Sequence, residues 1–110
     1  MSDYFIDDLM VITPLSQAPG IKLFGQVTAD HKVPLTRALL RCRGGHREVT
    51  VDLTAVDYIS QGALEALVDV ARTLPSSLCL TLRARPELGL QSRLAARGWH
   101  AVESLQIREA

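Results

Sequence analysis

Val49-Thr50-Val51-Asp52-Leu53-Thr54-Ala55-Val56-Asp57-Tyr58-Ile59-Ser60-Gln61-Gly62-Ala63-Leu64 reads as a strand end that runs through a short loop into an amphipathic helix. Val49, Val51 and Leu53 alternate with Thr50 and Asp52, the period of a half-buried strand. Leu64, Leu67, Val68, Ala71 and Leu74 then fall at the spacing of a helix stripe packed on a core. The small, polar junction Ser60-Gln61-Gly62 sits where a helix leaves its first backbone N–H groups unpaired. Such a junction can present a hydroxyl, an anion site or a docking surface.

Working outward, Leu9 to Thr13 reads as a first strand, and Gly20 to Val27 as a second that returns after a proline-rich turn. Thr28-Ala29-Asp30 supplies cap-type residues ahead of a helix through Leu35, Ala38, Leu39 and Cys42, with Pro34 in its first turn and Gly44-Gly45 at its end. Glu48 to Leu53 is the next strand. The helix from Ser60 to Leu74 follows and is closed by Pro75. Leu78, Leu80 and Leu82 mark a strand buried on both faces. Pro86 opens a last helix capped by Gly98, and His100 to Ile107 forms a final strand. The order is β-β-α-β-α-β-α-β, an α/β chain whose helical crossovers imply a largely parallel sheet.

The chain has 110 residues, 47% of them hydrophobic, enough for one core and one domain spanning 1–110. Twelve basic and twelve acidic side chains cancel, which removes the global drive toward nucleic acid or an anionic membrane. The start Met-Ser-Asp-Tyr-Phe-Ile-Asp-Asp has neither the basic region nor the apolar run of a signal peptide, and no segment reaches the roughly 20 apolar residues of a membrane span. Cys42 and Cys79 lie among apolar residues without metal-ligand spacing, as small core hydrophobes of a reducing cytoplasm.

Catalysis needs convergent titrating groups. His31, His46 and His100 are scattered and read as surface or boundary residues, and no phosphate-loop, nucleophile-elbow or metal spacing occurs. No enzyme activity, cofactor or metal is expected. Charge is more suggestive: Lys32, Arg37, Arg41, Arg43 and Arg47 form a basic run, and Asp52, Asp57, Glu65 and Asp69 an acidic one. Glu65 and Asp69 share a helix face beside the junction and could steer a basic partner there. Arg83, Arg85 and Arg93 offer an alternative, anion-binding cluster.

These residues resemble the STAS domain, the module shared by sulfate transporter tails and anti-sigma factor antagonists. Val51-Asp52-Leu53-Thr54-Ala55-Val56-Asp57-Tyr58-Ile59 looks like the family's hydrophobic-Asp-Leu-Ser-x-Val-x-Phe-Ile, Gly25-Gln26-Val27 is similar to its Gly-Glu-Leu, and Leu94-Ala95-Ala96-Arg97-Gly98-Trp99 to its late Leu-x-x-x-Gly-hydrophobic. The resemblance covers nearly the whole chain and implies a mixed sheet with helices packed mainly on one face. It implies a cytoplasmic, non-enzymatic regulator of transcription whose partner is an anti-sigma factor or serine kinase-like protein, bound through Thr54, Asp57, Tyr58, Ser60, Gln61, Gly62, Glu65 and Asp69. Some STAS-like domains are thought to bind nucleotides, which gives the arginine cluster its alternative role in small-ligand sensing.

Antagonists of that family carry Asp-Ser-Ser-Gly-Leu after the Phe-Ile, and a partner kinase phosphorylates the second serine. Aligned without a gap, Ser60 stands at the Asp, Gln61 at the first Ser, Gly62 at the acceptor and Leu64 at the Leu. Sliding by one makes Gln61 the acceptor and breaks the Leu64, Leu67, Val68 stripe. Neither register leaves a hydroxyl at the acceptor, so phosphorylation is expected there in neither. Ser60 reads as a helix N-cap, with phosphorylation of Ser60 or Thr54 a minor alternative. The sequence leaves the oligomeric state open.

Overall fold

One strand organises the molecule. Glu48–Ile59 (β4) is twelve residues long and carries Val49, Val51, Leu53, Val56 and Ile59 into the core. The structure is a computed structural model, and it describes residues 4–16, 18–43, 47–74 and 78–109. Gly44-Gly45, His46, Pro75 and the side chains of Cys42 and His100 lie outside the described residues.

Ahead of β4 come Phe5–Ile6 (β1), Met10–Pro14 (β2), Gly20–Val27 (β3) and the helix Lys32–Arg43 (α1). After it come Gln61–Arg72 (α2), Cys79–Ala84 (β5), Leu90–Ala96 (α3) and Leu105–Glu109 (β6). The six strands lie in sequence order, antiparallel from β1 to β3 and parallel from β3 to β6. Right-handed crossovers stepping in one direction across such a sheet bring every helix to the same face. α1 lies against β2, β3 and β4, and α2 packs beside α1. Between helices and sheet sits one core, with Ile12, Leu23, Leu53, Leu35, Leu67 and Leu82 fully enclosed.

The sequence reading ends β4 at Leu53 and makes a loop of Thr54 to Ile59; the chain instead stays in the sheet to Ile59. Against β3 the strand takes two register shifts, so that Lys22 faces Asp52 and Phe24 faces Ala55, while Gly25 faces Val56 and Gln26 faces Tyr58. Each shift adds a residue to β4, as a β-bulge does. The first leaves a backbone N–H to satisfy, and Asp52 does so: its Oδ1 accepts the Thr54 N–H at 2.9 Å and the Thr54 hydroxyl at 2.6 Å. Asp52 is thereby buried beside its own bulge.

β1 was not expected, because two residues carry no period. Strand β3, by contrast, has the bounds its alternation predicts. Gly25 within it adopts φ +94°, and a Cβ there would lie 2.2 Å from the Leu9 carbonyl oxygen, so only glycine admits this approach.

Candidate functional site

The parallel strands all end at one rim of the sheet, and the junction stands there. Ser60 has extended backbone and caps α2, its Oγ accepting the Ala63 N–H at 3.1 Å. Its own N–H donates to Val27 O at 2.8 Å, tying the junction to the end of β3. Gly62, in the first turn, abuts the short turn Ala29–His31: a Cβ on it would lie 2.9 Å from Ala29 Cβ.

That turn is anchored in turn. His31 is 2% exposed, which corrects its reading as a surface or boundary residue. Its Nδ1 accepts the Thr28 N–H at 2.9 Å, leaving the ring proton on Nε2 for Asp7 Oδ2, 2.9 Å away. Phe5 meets the ring edge-on at 5.9 Å. Asp7 Oδ1 also accepts the N–H groups of Leu9 and Met10, each at 2.8 Å. The Met10 N–H first, then His31 and the Leu9 N–H, hold the Asp7 carboxyl below the usual carboxylate range. One carboxylate thus joins the β1–β2 turn to the turn that leads into α1 and against which the first turn of α2 packs.

Along α2, Glu65 is half-buried and Asp69 exposed, the latter 3.5 Å from Arg72. Asp69 edges an apolar groove of about 380 Å³ between α1 and α2, lined also by Lys32, Leu40, Ala66 and Val70. Ser60, Gln61, Gly62, Glu65 and Asp69 therefore follow one another from the rim down the helical side. Thr54, Asp57 and Tyr58 do not join them. Thr54 is held by Asp52, and Tyr58, alternating with buried Ile59, projects from the sheet face opposite the helices. Among the described residues, no group of three or more His, Cys, Asp or Glu is placed to hold a metal ion, and no helix is long and apolar enough to cross a membrane.

No protein-family model matches the chain, and comparison with curated proteins finds no match. Among solved structures it is similar to the crystal structure of an anti-sigma factor antagonist from Mycobacterium paratuberculosis, with a TM-score of 0.71 and 15% sequence identity over 96% of this chain and 90% of that one. The chain has the STAS fold. Within this fold Val51-Asp52-Leu53-Thr54 forms a bulge, with Asp52 serving the backbone of Thr54.

The three arginines of the anion cluster are divided within the STAS fold. Arg83 projects from the sheet into a cleft of about 570 Å³ that also holds Thr50, Asp52 and Arg108. Arg85 lines a different, smaller cavity and donates to Val56 O at 2.9 Å. It does so because β4 outruns β5: their pairing ends at Asp52 and Arg83, so beyond it the β5 side of β4 has no strand partner. Arg93 donates to Gln61 Oε1 at 3.2 Å, which attaches α3 to the start of α2. Arg108, which the sequence reading left out, is the register partner of Arg83 on β6; its signal was the parallel pairing, not its sequence neighbours.

Proposed function

We propose that this STAS domain is a non-enzymatic regulatory module of the anti-sigma factor antagonist kind, which binds an anti-sigma factor or serine kinase-like protein. The single observation that carries the reading is the fold-wide likeness to an antagonist, in a chain whose half-buried strand-to-helix junction lies at the sheet rim. The surface proposed is Ser60, Gln61 and Gly62 at the rim with Glu65 and Asp69 along α2, where two carboxylates and the apolar groove between α1 and α2 suit a partner with basic and apolar side chains. Its setting is cytoplasmic signalling to transcription.

The acceptor position is Gly62, so the usual off-state, a phosphate placed against the partner, has no attachment point there. Ser60 uses its oxygen to cap α2 and Thr54 uses its hydroxyl on Asp52, which supports leaving both unmodified. Binding is then controlled by the amount of this protein or of a competitor. Affinity capture from the native lysate, run beside Glu65→Lys and Asp69→Lys with phosphosite mapping of the same sample, tests both parts. Expected is a regulatory protein lost from both variants and no phosphate on Ser60 or Thr54. Recovery of no protein that depends on these carboxylates would overturn the assignment.

A second reading, a small-anion sensor, is favoured by one observation, the cleft that brings Arg83 beside Arg108. A ligand at 100 times its dissociation constant stabilises the fold by about 2.7 kcal/mol. A thermal-shift screen of nucleotides and inorganic phosphate that moves the melt of the unaltered chain, but not of Arg83→Met, would support it.

A further inference from the structure

Among the described residues five large hydrophobic side chains are exposed; two of them, Ile6 and Tyr58, lie on the sheet face that no helix covers, and a third, Leu9, stands in the β1–β2 turn beside Gln26 at its edge. Register shows how they are laid out. Ile6 pairs with Val11, Val11 with Phe24 and Phe24 with Ala55, so one apolar row crosses four strands. The partners on the helix side of the same strands, Ile12, Leu23 and Val56, are fully buried, which fixes the row to the open face. Leu9 and Tyr58 extend it toward the rim.

Charge frames this strip on both sides, with opposite sign. Two residues along from Phe24, away from the rim, Lys22, Asp52, Arg83 and Arg108 are consecutive register partners: three cations against one carboxylate. Asp52 is committed to Thr54 and lies 4.0 Å from Arg83. On the other side, at the rim, Asp8 in the β1–β2 turn and Asp57 beside Tyr58 are exposed, and neither has an ion-pair partner among the described residues.

We infer that the open sheet face binds a second copy of this chain, sheet against sheet, about a two-fold axis that runs across the strands over the Phe24 row. The charge pattern selects both the occupant and the axis. Rotation about that axis turns the second sheet end for end, so Lys22 and Arg83 of each copy, on the strands either side of β4, come over the rim that carries Asp57 of the other, while the apolar strips meet about 10 Å apart. A two-fold along the strands would lay cationic row on cationic row. The surface is thus complementary to itself, as an isologous contact requires. Asp57 and Tyr58 belong to this contact and leave Ser60 to Asp69, on the helical side, free for another protein.

Sedimentation velocity of the purified chain over a concentration series tests the inference without any partner. Expected is a monomer–dimer equilibrium whose dissociation constant rises about tenfold or more in Tyr58→Lys and Leu9→Lys, at exposed positions whose retained fold is checked by circular dichroism. Asp57→Lys is expected to weaken the dimer and Lys22→Glu in that background to restore it. The unaltered chain should dissociate as salt is raised, since screened charges orient the two copies. Glu65→Lys and Asp69→Lys should leave the equilibrium unchanged, which separates this contact from the partner surface. A chain that stays monomeric to about 1 mM overturns the inference. So does a dimer indifferent to Leu9 and Tyr58, or a monomer in which Tyr58→Lys instead abolishes capture of another protein.

Discussion

Replacing Gly62 by serine supplies a hydroxyl at the position proposed to stand for the family's acceptor, and the structure predicts that this destabilises the domain. A Cβ at Gly62 would lie 2.9 Å from Ala29 Cβ and 3.6 Å from both Ala29 Cα and Lys32 Cε. Intrinsic helix preference points the other way, favouring serine over glycine by about 0.5 kcal/mol. Forcing a side chain into a closed contact costs roughly 1–3 kcal/mol, and Ala29 stands on a turn held by the buried His31, so it yields poorly. The net loss is about 0.5–2.5 kcal/mol, and at this chain length each kcal/mol lowers Tm by about 4 °C. Thermal and urea melts of the unaltered chain, Gly62→Ser, Ala29→Gly and the double variant measure it. Removing the Ala29 methyl should return most of the loss, a coupling of about 0.5–2 kcal/mol between two residues in contact. A Gly62→Ser variant more stable than the unaltered chain, or a double variant with no recovery, would show that Ala29 gives way freely at this contact.

Three further outcomes follow from the same contacts. Asp52→Ala leaves the Thr54 N–H and hydroxyl unpaired in a partly buried bulge and should cost about 1–3 kcal/mol in urea melts, whereas truncating an exposed carboxylate such as Glu103 should cost almost nothing. Arg85→Met strips Val56 O of its donor and should cost about 1–3 kcal/mol, with Val56 amide-region NMR shifts changing more than those of Arg83. Because the folded Asp7 carboxyl lies below its ordinary 3.8, its contribution to stability is complete above that value and is lost as pH falls through the lower folded value. The urea midpoint of Asp7→Asn should accordingly fall less than that of the unaltered chain on acidification from neutral pH.

Legibility in the sequence tracked periodicity. Val49, Val51 and Leu53 keep a strict period of two and announced β4, but the two bulges then space Leu53, Val56 and Ile59 three apart, and the second half of the strand passed for a loop. The same slip placed Tyr58 on a docking loop with Glu65, although the strand turns it to the opposite face of the sheet. His31 looked peripheral because its hydrogen-bond partner, Asp7, lies 24 residues away. That Gly62 is the point where α2 touches Ala29 is a packing fact no local pattern encodes. Arg83 and Arg108 meet through parallel register, which joins residues the chain keeps far apart.

The most direct measurement is NMR shift mapping of the labelled chain titrated with the protein recovered by affinity capture. Amide shifts are expected to concentrate at Gln61, Gly62, Glu65 and Asp69, with Lys22, Arg83 and Arg108 on the open sheet face unmoved. Shifts confined to that open face, with α2 silent, would contradict this expectation.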